Sequence, residues 1–446
     1  MEQDFTKGSV LKALIRFSIP YLISCFLQTF YGLVDLYVTG QFNKAASISA
    51  VSIGSQVMHM VTVIIVGLAM GSTVTISQAI GARKKDRAEK AVGNTVGLFL
   101  LVSLITTVIL LGLTDSIIRI LSTPTEAVSQ TKLYLTICFL GIPFITAYNI
   151  ISCVFRGLGD SKSPLYFVAA ACVINIGLDF LFIGYFKMGA AGAALGTVLS
   201  QSASVIFAFL VIRKRELGLT VKRSDFIPDG QTLKNILKIG FPISLQDGFV
   251  QISFMLITII ANRRGVIAAA SVGIVEKLIS FFFLVPSAML SSISSIAAQN
   301  VGAQKHDRAQ KTLQYGITIA VSFGLIVAVL CQFFCKPLLG LFSSETAVIL
   351  MGCQYLRSYI FDCPAAGIHF CFSGYFCAYG KSTISFLQNF ISIILIRIPG
   401  AYLASALFPD TLFPMGIAAP AGSLLSALIC IIAYVIMRSK SFSKAN

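Results

Sequence analysis

Runs of apolar residues about long enough to cross a bilayer as a helix, roughly 20 each, recur from end to end of the chain and alternate with short polar or basic stretches. Windows of that length predict twelve spans, near 17–38, 48–73, 92–113, 133–155, 164–184, 190–212, 237–261, 267–297, 313–334, 355–378, 384–406 and 413–437. The pattern leaves no room for a water-soluble domain, so the expected fold class is all-α and integral to the membrane.

The pattern also repeats. Gln78-Ala-Ile-Gly-Ala-Arg-Lys-Lys-Asp-Arg-Ala-Glu-Lys returns as Gln299-Asn-Val-Gly-Ala-Gln-Lys-His-Asp-Arg-Ala-Gln-Lys, displaced by about 221 positions. At nearly the same offset Pro20 is echoed by Pro242, Gly141-Ile-Pro143 by Asp362-Cys-Pro364, and Phe155–Gly159 by Phe376–Gly380. The expected organisation is two repeated six-helix lobes, 1–212 and 236–446, joined by a basic cytoplasmic linker, 213–235. Six spans per lobe is an even number, so both lobes have the same topology and are expected to be related by an axis along the membrane normal, with a site between them reached alternately from each side.

Composition sharpens this reading. Of the 446 residues 56% are apolar and 12% charged, against about 25% charged in a soluble domain. The formal charge of +16 does not point to nucleic acid, because the basic residues sit in clusters between the spans. One set of loops carries Arg83-Lys84-Lys85-Asp86-Arg87, Arg156 with Lys162, Arg213-Lys214-Arg215 through Lys238, Lys305 with Arg308, Lys381, and Arg438 with Lys440; the other carries Lys44, Lys132, Lys187 and little else per loop. The positive-inside rule then places both termini in the cytoplasm. The first apolar stretch, preceded by Lys7, Lys12 and Arg16, is too long for a signal peptide and reads as an uncleaved helix. Eleven cysteines without a C-x-x-C pair, and three histidines without ligand spacing, speak against a structural zinc site.

A charge near the bilayer centre costs about 2.5–3.5 kcal/mol on insertion scales, so ionisable residues inside spans are candidates for function. In the first half these are Asp35 and Asp179, with Asn175 one helical turn before the latter. Counting along the spans puts Asp35, Asn175, Asp179 and Thr197 at one level in the outer half of the membrane. Two carboxylates, an amide oxygen and a hydroxyl there could take a proton or a hard cation such as Na⁺; two adjacent carboxylates resist double ionisation, so one of them could hold the proton. The alternative is that the acids reach interfacial water or cap helix ends, and that Thr197, in the run Gly189-Ala-Ala-Gly192-Ala-Ala-Leu-Gly196, is packing glue. The repeat argues for function: Ile257, Ile396 and Gly400 stand opposite Asp35, Asn175 and Asp179. The second half has its own charges, Asp247, Glu276, Lys277, Asp362 and Arg397, of which Glu276 with Lys277 and Asp247 could form internal ion pairs. Pro20 is expected to kink the first span and to serve as a hinge. Gln28, Tyr31, Asp247 and Glu276 are candidate substrate contacts, and the 35 Phe and 14 Tyr, with no Trp, could wall a chamber for flat lipophilic cations.

Over nearly its whole length the chain resembles the bacterial side of the multidrug and toxic compound extrusion (MATE) family. The resemblance rests on Pro20, Gln28-Thr-Phe-Tyr31-Gly-Leu-Val-Asp35, Gln78 with Gly81-Ala82, Phe155-Arg156-Gly157-Leu-Gly159-Asp160 and Asn175-Ile-Gly-Leu-Asp179, together with the repeat. It implies two V-shaped lobes that alternate access and export drugs in exchange for H⁺ or Na⁺. It implies a first-lobe cation site at Asp35, Asn175, Asp179 and Thr197, possible Na⁺ included, and a bending first helix at Pro20. Around Val250, Gln251 and Gly367 the acids of a second-lobe cation site are missing, which favours coupling through the first lobe. No cofactor beyond the coupling ion is expected. The expected partners are small organic substrates and the lipid bilayer, with no nucleic acid; the chain is expected to be a monomer in the bacterial cell (inner) membrane. The rival readings are a flippase for lipid-linked saccharide or cell-wall precursors, for which fourteen spans and a strongly basic cavity would speak, and an integral-membrane enzyme, for which no H-x-x-x-x-D, G-x-S-x-G or metal cluster is found.

Overall fold

The computed structural model describes residues 4–121, 123–214 and 219–442, with the side chains of 440–442 left aside. Among the described residues the fold is helical, without strands. In the first half the helices are α1 (Val10–Phe42), α2 (Ala45–Gly81), α3 (Lys85–Ile120), α4 (Val128–Leu140), α5 (Ile142–Gly157), α6 (Lys162–Asp179), which continues into a π-helical turn (Phe180–Tyr185), and α7 (Ala190–Lys214). The second half has α8 (Gly230–Asn262), α9 (Val266–Phe282), α10 (Leu284–Gly302), α11 (His306–Gly340), α12 (Thr346–Tyr359), α13 (Asp362–Ala378), α14 (Ser382–Ser392), a π-helical turn (Ile393–Arg397), α15 (Ile398–Leu407) and α16 (Phe413–Phe442).

Ten of the resulting spans are long and apolar enough to cross a membrane, and α4 with α5, bent by 49°, makes an eleventh. The twelfth is α12 with α13, which match α4 and α5 in the repeat but carry Arg357, Asp362 and His369 and so are less apolar. Three predicted spans are thus helix pairs, and each break falls just before a proline: Pro143, Pro286 and Pro364. Proline has no N–H to continue the ladder and its ring clashes with the preceding turn, yet it fits the first turn of a new helix. Pro20 behaves differently, because α1 runs through it as one helix.

The sequence repeat becomes a repeat of turn geometry. Arg83 and Gln304, about 221 positions apart, both adopt a left-handed backbone, with φ of 56° and 60°, and Gly159 and Gly380 do the same at 88° and 68°. In each turn the chain folds back to satisfy a helix-end carbonyl: Lys84 N–H to Ala79, Lys305 to Asn300, Asp160 to Phe155 and Lys381 to Phe376, at 2.8–3.0 Å.

The chain divides into two compact units, and each contains the start of a helix that mostly belongs elsewhere. One comprises Met1–Phe5 and Ile15–Gly240; the other comprises Thr6–Leu14 and Phe241–Asn446. In the first unit the segment between α7 and α8 is docked rather than loose. Asn94 on α3 donates to the carbonyls of Asp225 and Ile227 and accepts from the Asp229 N–H, while Glu89 accepts from Thr220. Asp229 in turn caps α8 by accepting from Thr232, which holds its carboxyl below the usual range. In the second unit Lys305 donates to the Thr6 carbonyl, and Arg308 to those of Lys7 and Gly8. Arg215, within the expected linker, lies outside the described residues.

Three arginines correct the charge pattern read from the loops. Arg156 is buried in the end of α5, where it donates to Cys153 Sγ at 2.8 Å and lies 5.0 Å from the centroid of the Tyr21 ring, so it is no free loop charge. Arg263 and Arg264 sit in the turn between α8 and α9, on the side expected to be poor in basic residues; Arg264 is spent on the carbonyls of Phe408, Pro409 and Thr411.

Each unit has an apolar core of its own. Val51, Phe99, Leu135 and Phe139 are buried in the first, and Val272, Leu339, Leu356 and Met415 in the second. Long aliphatic side chains on α3 and α11 face outward, as Val108 (71% exposed) and Val329 (56%) show, in keeping with a lipid surround. In the first unit the last third of α2 and the start of α8 touch backbone to backbone. A Cβ on Gly71 would lie 2.0 Å from the Ile236 carbonyl oxygen, and one on Gly240 2.1 Å from that of Leu68. Backbone cannot swing aside as a side chain can. Gly71→Ala should therefore cost about 1–3 kcal/mol, whereas Gly112→Ala, with open space around it, should not lower stability. Thermal unfolding of the purified variants in detergent checks this; a Gly71→Ala protein as stable as wild type would show that the contact is not tight.

Candidate functional site

The first unit gathers four of the expected residues at one place. Asp35 comes from α1, Asn175 and Asp179 from the last turns of α6, and Thr197 from α7. Asp35, Asn175 and Asp179 are buried, at 6%, 1% and 0% exposure, and Thr197 is half-buried. The Thr197 hydroxyl, 3.2 Å from Asp35 Oδ2 and 3.0 Å from the Ala193 carbonyl, joins α7 to α1. Asp179 and Asn175 adjoin the Asp35 carboxyl at contact range without a completed hydrogen bond.

What these groups lack is as informative as what they have. Asp35 Oδ1, both carboxyl oxygens of Asp179 and the amide oxygen of Asn175 are buried without a protein partner among the described residues. Neither carboxyl pairs with a lysine or arginine there. Buried carboxylates without hydrogen bonds or counter-charge are strongly disfavoured. The donor set is all oxygen, which suits a proton shared between the two acids or a hard monocation and suits a soft metal poorly; the described residues include no cluster of three or more His, Cys, Asp or Glu able to hold a metal ion.

Local sequence explains the arrangement. Asn175 and Asp179 are one turn apart and so share a face of α6, and the π-helical turn starts at the next residue, Phe180. Such turns widen the helix and are frequent at functional sites. On α7, Gly196 makes the approach possible, since a Cβ there would lie 2.5 Å from Asp179 Oδ1. Gly196 is the site residue that sequence reasoning missed, because a small-residue run reads first as helix packing.

Of the expected substrate contacts, Gln28 and Tyr31 lie on the face of α1 that carries Asp35. Gln28 donates to the Tyr148 hydroxyl and Tyr31 accepts from Gln201, each at 3.2 Å. Asp247 and Glu276 belong to the second unit and are only half-buried. The suggested pairing of Glu276 with Lys277 is absent: Lys277 is exposed, and Glu276 instead accepts from the Thr258 hydroxyl at 3.2 Å. Adjacent residues on a helix point about 100° apart, so neighbours in sequence do not face each other. The repeat counterparts of the site are apolar. Ile257 is buried in the second unit's core, and a Cβ on Gly400, opposite Asp179, would stand 3.3 Å from that of Ala418, opposite Thr197. The contact is repeated without its chemistry.

A model of the MatE family matches residues 20–181 and 242–403, one copy in each half. The chain belongs to the MatE family. This MatE chain is 33% identical over 411 residues to the "Probable multidrug resistance protein YpnP" of Bacillus subtilis (strain 168), covering 90% of each. It is 26% identical over 409 residues to the "Multidrug export protein MepA" of Staphylococcus aureus (strain N315), covering 91% of this chain and 89% of that one. Among solved structures it is similar to an outward-facing multidrug resistance MATE family transporter (TM-score 0.91, 23% identity, 99% and 98% coverage). It is also similar to a transporter of the same superfamily from Pyrococcus furiosus (TM-score 0.92, 24% identity, 99% and 98% coverage). These two likenesses establish the fold. The MatE family is a family of transporters and not a class of enzymes.

Because Gly196 holds α7 against Asp179, Gly196→Ala should displace that carboxyl and lower transport at least about fivefold, a loss of roughly 1 kcal/mol at the site, while the protein still folds. Gly177→Ala on α6, where nothing lies within 4 Å, should transport normally. Efflux assays on membranes with matched protein levels decide; full activity of Gly196→Ala would mean the close approach is incidental.

Proposed function

We propose that this MatE protein exports small lipophilic organic compounds, many of them cations, in exchange for H⁺ or Na⁺, by exposing a binding space to either side of the membrane in turn. The observation that carries the coupling part is the buried pair Asp35 and Asp179, whose oxygens want a positive charge that no side chain among the described residues supplies. The printed names of the relatives, multidrug resistance and export proteins, support the substrate class.

In this reading Asp35 and Asp179 hold the ion, Asn175 and Thr197 complete the oxygen set, and Pro20 lets α1 adjust as the site fills. A ligand moves a two-state equilibrium only by binding one state better than the other. An ion that neutralises the acids does so if the oxygens are close in one state and apart in the other. Gln28 and Tyr31, near the site, and Asp247 and Glu276, in the other unit, contact substrate. The chain sits in the bacterial cell membrane with both termini in the cytoplasm; the basic residues at the turns around 83–85, 303–305 and 381 support that orientation. The reading needs no cofactor and a single chain suffices.

The test is reconstitution in liposomes, with ethidium export measured under a pH gradient and a Na⁺ gradient separately. Asp35→Asn keeps size and hydrogen bonding but cannot carry the charge. It should bind ethidium within about twofold of wild type yet lose concentrative export by at least about tenfold. Ion-dependent accumulation by a well-folded Asp35→Asn protein would remove the coupling role. Glu276→Gln should instead alter which compounds are exported; uniform loss for every compound, together with lost ion dependence, would move the ion site to the second unit.

A further inference from the structure

The second unit contains a buried cation for which the first-lobe site has no use. The π-helical turn between α14 and α15 ends on Arg397, which is 9% exposed. One of its terminal nitrogens donates to the Tyr359 hydroxyl at 2.7 Å, and the guanidinium lies 4.9 Å from the centroid of the Phe254 ring. Its Nε has no partner, and among the described residues no carboxylate forms an ion pair with it. Glu276 and Asp362 act on it only from beyond ion-pair distance. Arginine does not lose its proton in proteins, so this charge persists, and the acids that act on it, Glu276 and the buried Asp362 with both carboxyl oxygens unpartnered, leave its Nε uncovered.

Arg397 lines a cavity of about 50 Å³. The same wall carries His369, Asn389 and Ser423, all buried, and the rings of Phe283 and Phe370. His369 Nδ1 is a second buried polar atom without a partner. No carboxylate lines the cavity. Its volume is several times what one water requires but well short of the roughly 150 Å³ that takes up benzene. The group inside is therefore compact, so a ring attached to it would stay outside the cavity, and the wall offers that group a fixed positive charge together with neutral hydrogen-bonding groups.

We propose that this cavity binds one compact monovalent anionic group on Arg397, either a free halide or the carboxylate of an aromatic substrate. The halide form stands apart from the export reading; the carboxylate form rests on it. A carboxylate would find the planar donor edge of the guanidinium, and a halide would be held by the same charge with Asn389 and Ser423 completing its shell.

Binding can be measured without transport. The full chain, purified in detergent and exchanged into chloride-free sodium HEPES, is unfolded thermally with sodium bromide or sodium benzoate added at constant sodium. Either anion should raise the unfolding midpoint by about 2 °C near saturation, and Arg397→Gln should abolish the rise. Should that variant fail to fold, Asn389→Ala and Ser423→Ala keep the charge and should weaken the response to the anion several-fold. A rise with bromide alone assigns the site to free halide. A rise with benzoate alone assigns it to substrate, and Asn389→Ala should then slow export of an aromatic carboxylate but not of its methyl ester. No rise in the wild type, or equal rises in wild type and variants, overturns the proposal.

Discussion

A polar group inside a bilayer cannot fall back on water, and each one must find its partner within the protein. Most of this chain's intramembrane hydroxyls solve the problem locally. Ser24 donates to the Pro20 carbonyl, Thr39 to Asp35, Thr95 to Ala91 and Thr114 to Leu110, each one turn back on its own helix. Side chains satisfied this way are silent. The same constraint makes the unsatisfied ionisable groups conspicuous, and among them are Asp35 and Asp179, beside Asn175, in one unit and Asp362, His369 and Arg397 in the other.

The two groups show what duplication has kept and what it has not. Turn geometry is kept to within a few degrees at Arg83 and Gln304, since the helices cannot reverse direction at these points without that backbone. Even the contact between the sixth span of each half and the span before it is kept, as Asp179 against Gly196 in one unit and Gly400 against Ala418 in the other. Side-chain chemistry is free of such demands. One fifth span carries Asn175 and Asp179 beside its π-helical turn, and the matching span carries an arginine at the end of its own.

What could be read from the sequence follows from the range of the interaction involved. Spans depend on composition alone, and the repeat depends on local motifs, so both were legible. Asp35, Asn175, Asp179 and Thr197 stood out because an acid in an apolar run has few structural explanations; that α1, α6 and α7 bring them together is a tertiary fact the sequence left to inference. Arg156 misled because it lies next to a loop in sequence while its side chain turns inward under Tyr21. The docking of the segment before α8 was not legible, since the side chains that hold it, Glu89 and Asn94, lie more than a hundred residues earlier. Pro143, Pro286 and Pro364 were visible, but hydropathy windows average over the breaks they cause.

Gly196 makes the last connection between packing and ion chemistry. In a helix interior glycine is about 1 kcal/mol worse than alanine, and here its lack of a side chain lets the α7 backbone press against Asp179. Asp179 is thus confined on the α7 side by backbone, while on the other side α6 passes into a widened turn at Phe180. A carboxyl held this way has little room to relax by rotating toward other partners. A change in its charge must then be absorbed by moving the helix that carries it, and the irregular turn is the place where α6 can yield. Under the proposed coupling, binding or releasing a cation there would act on a whole helix and not on a side chain alone, which is what converting ion binding into a change of conformation requires.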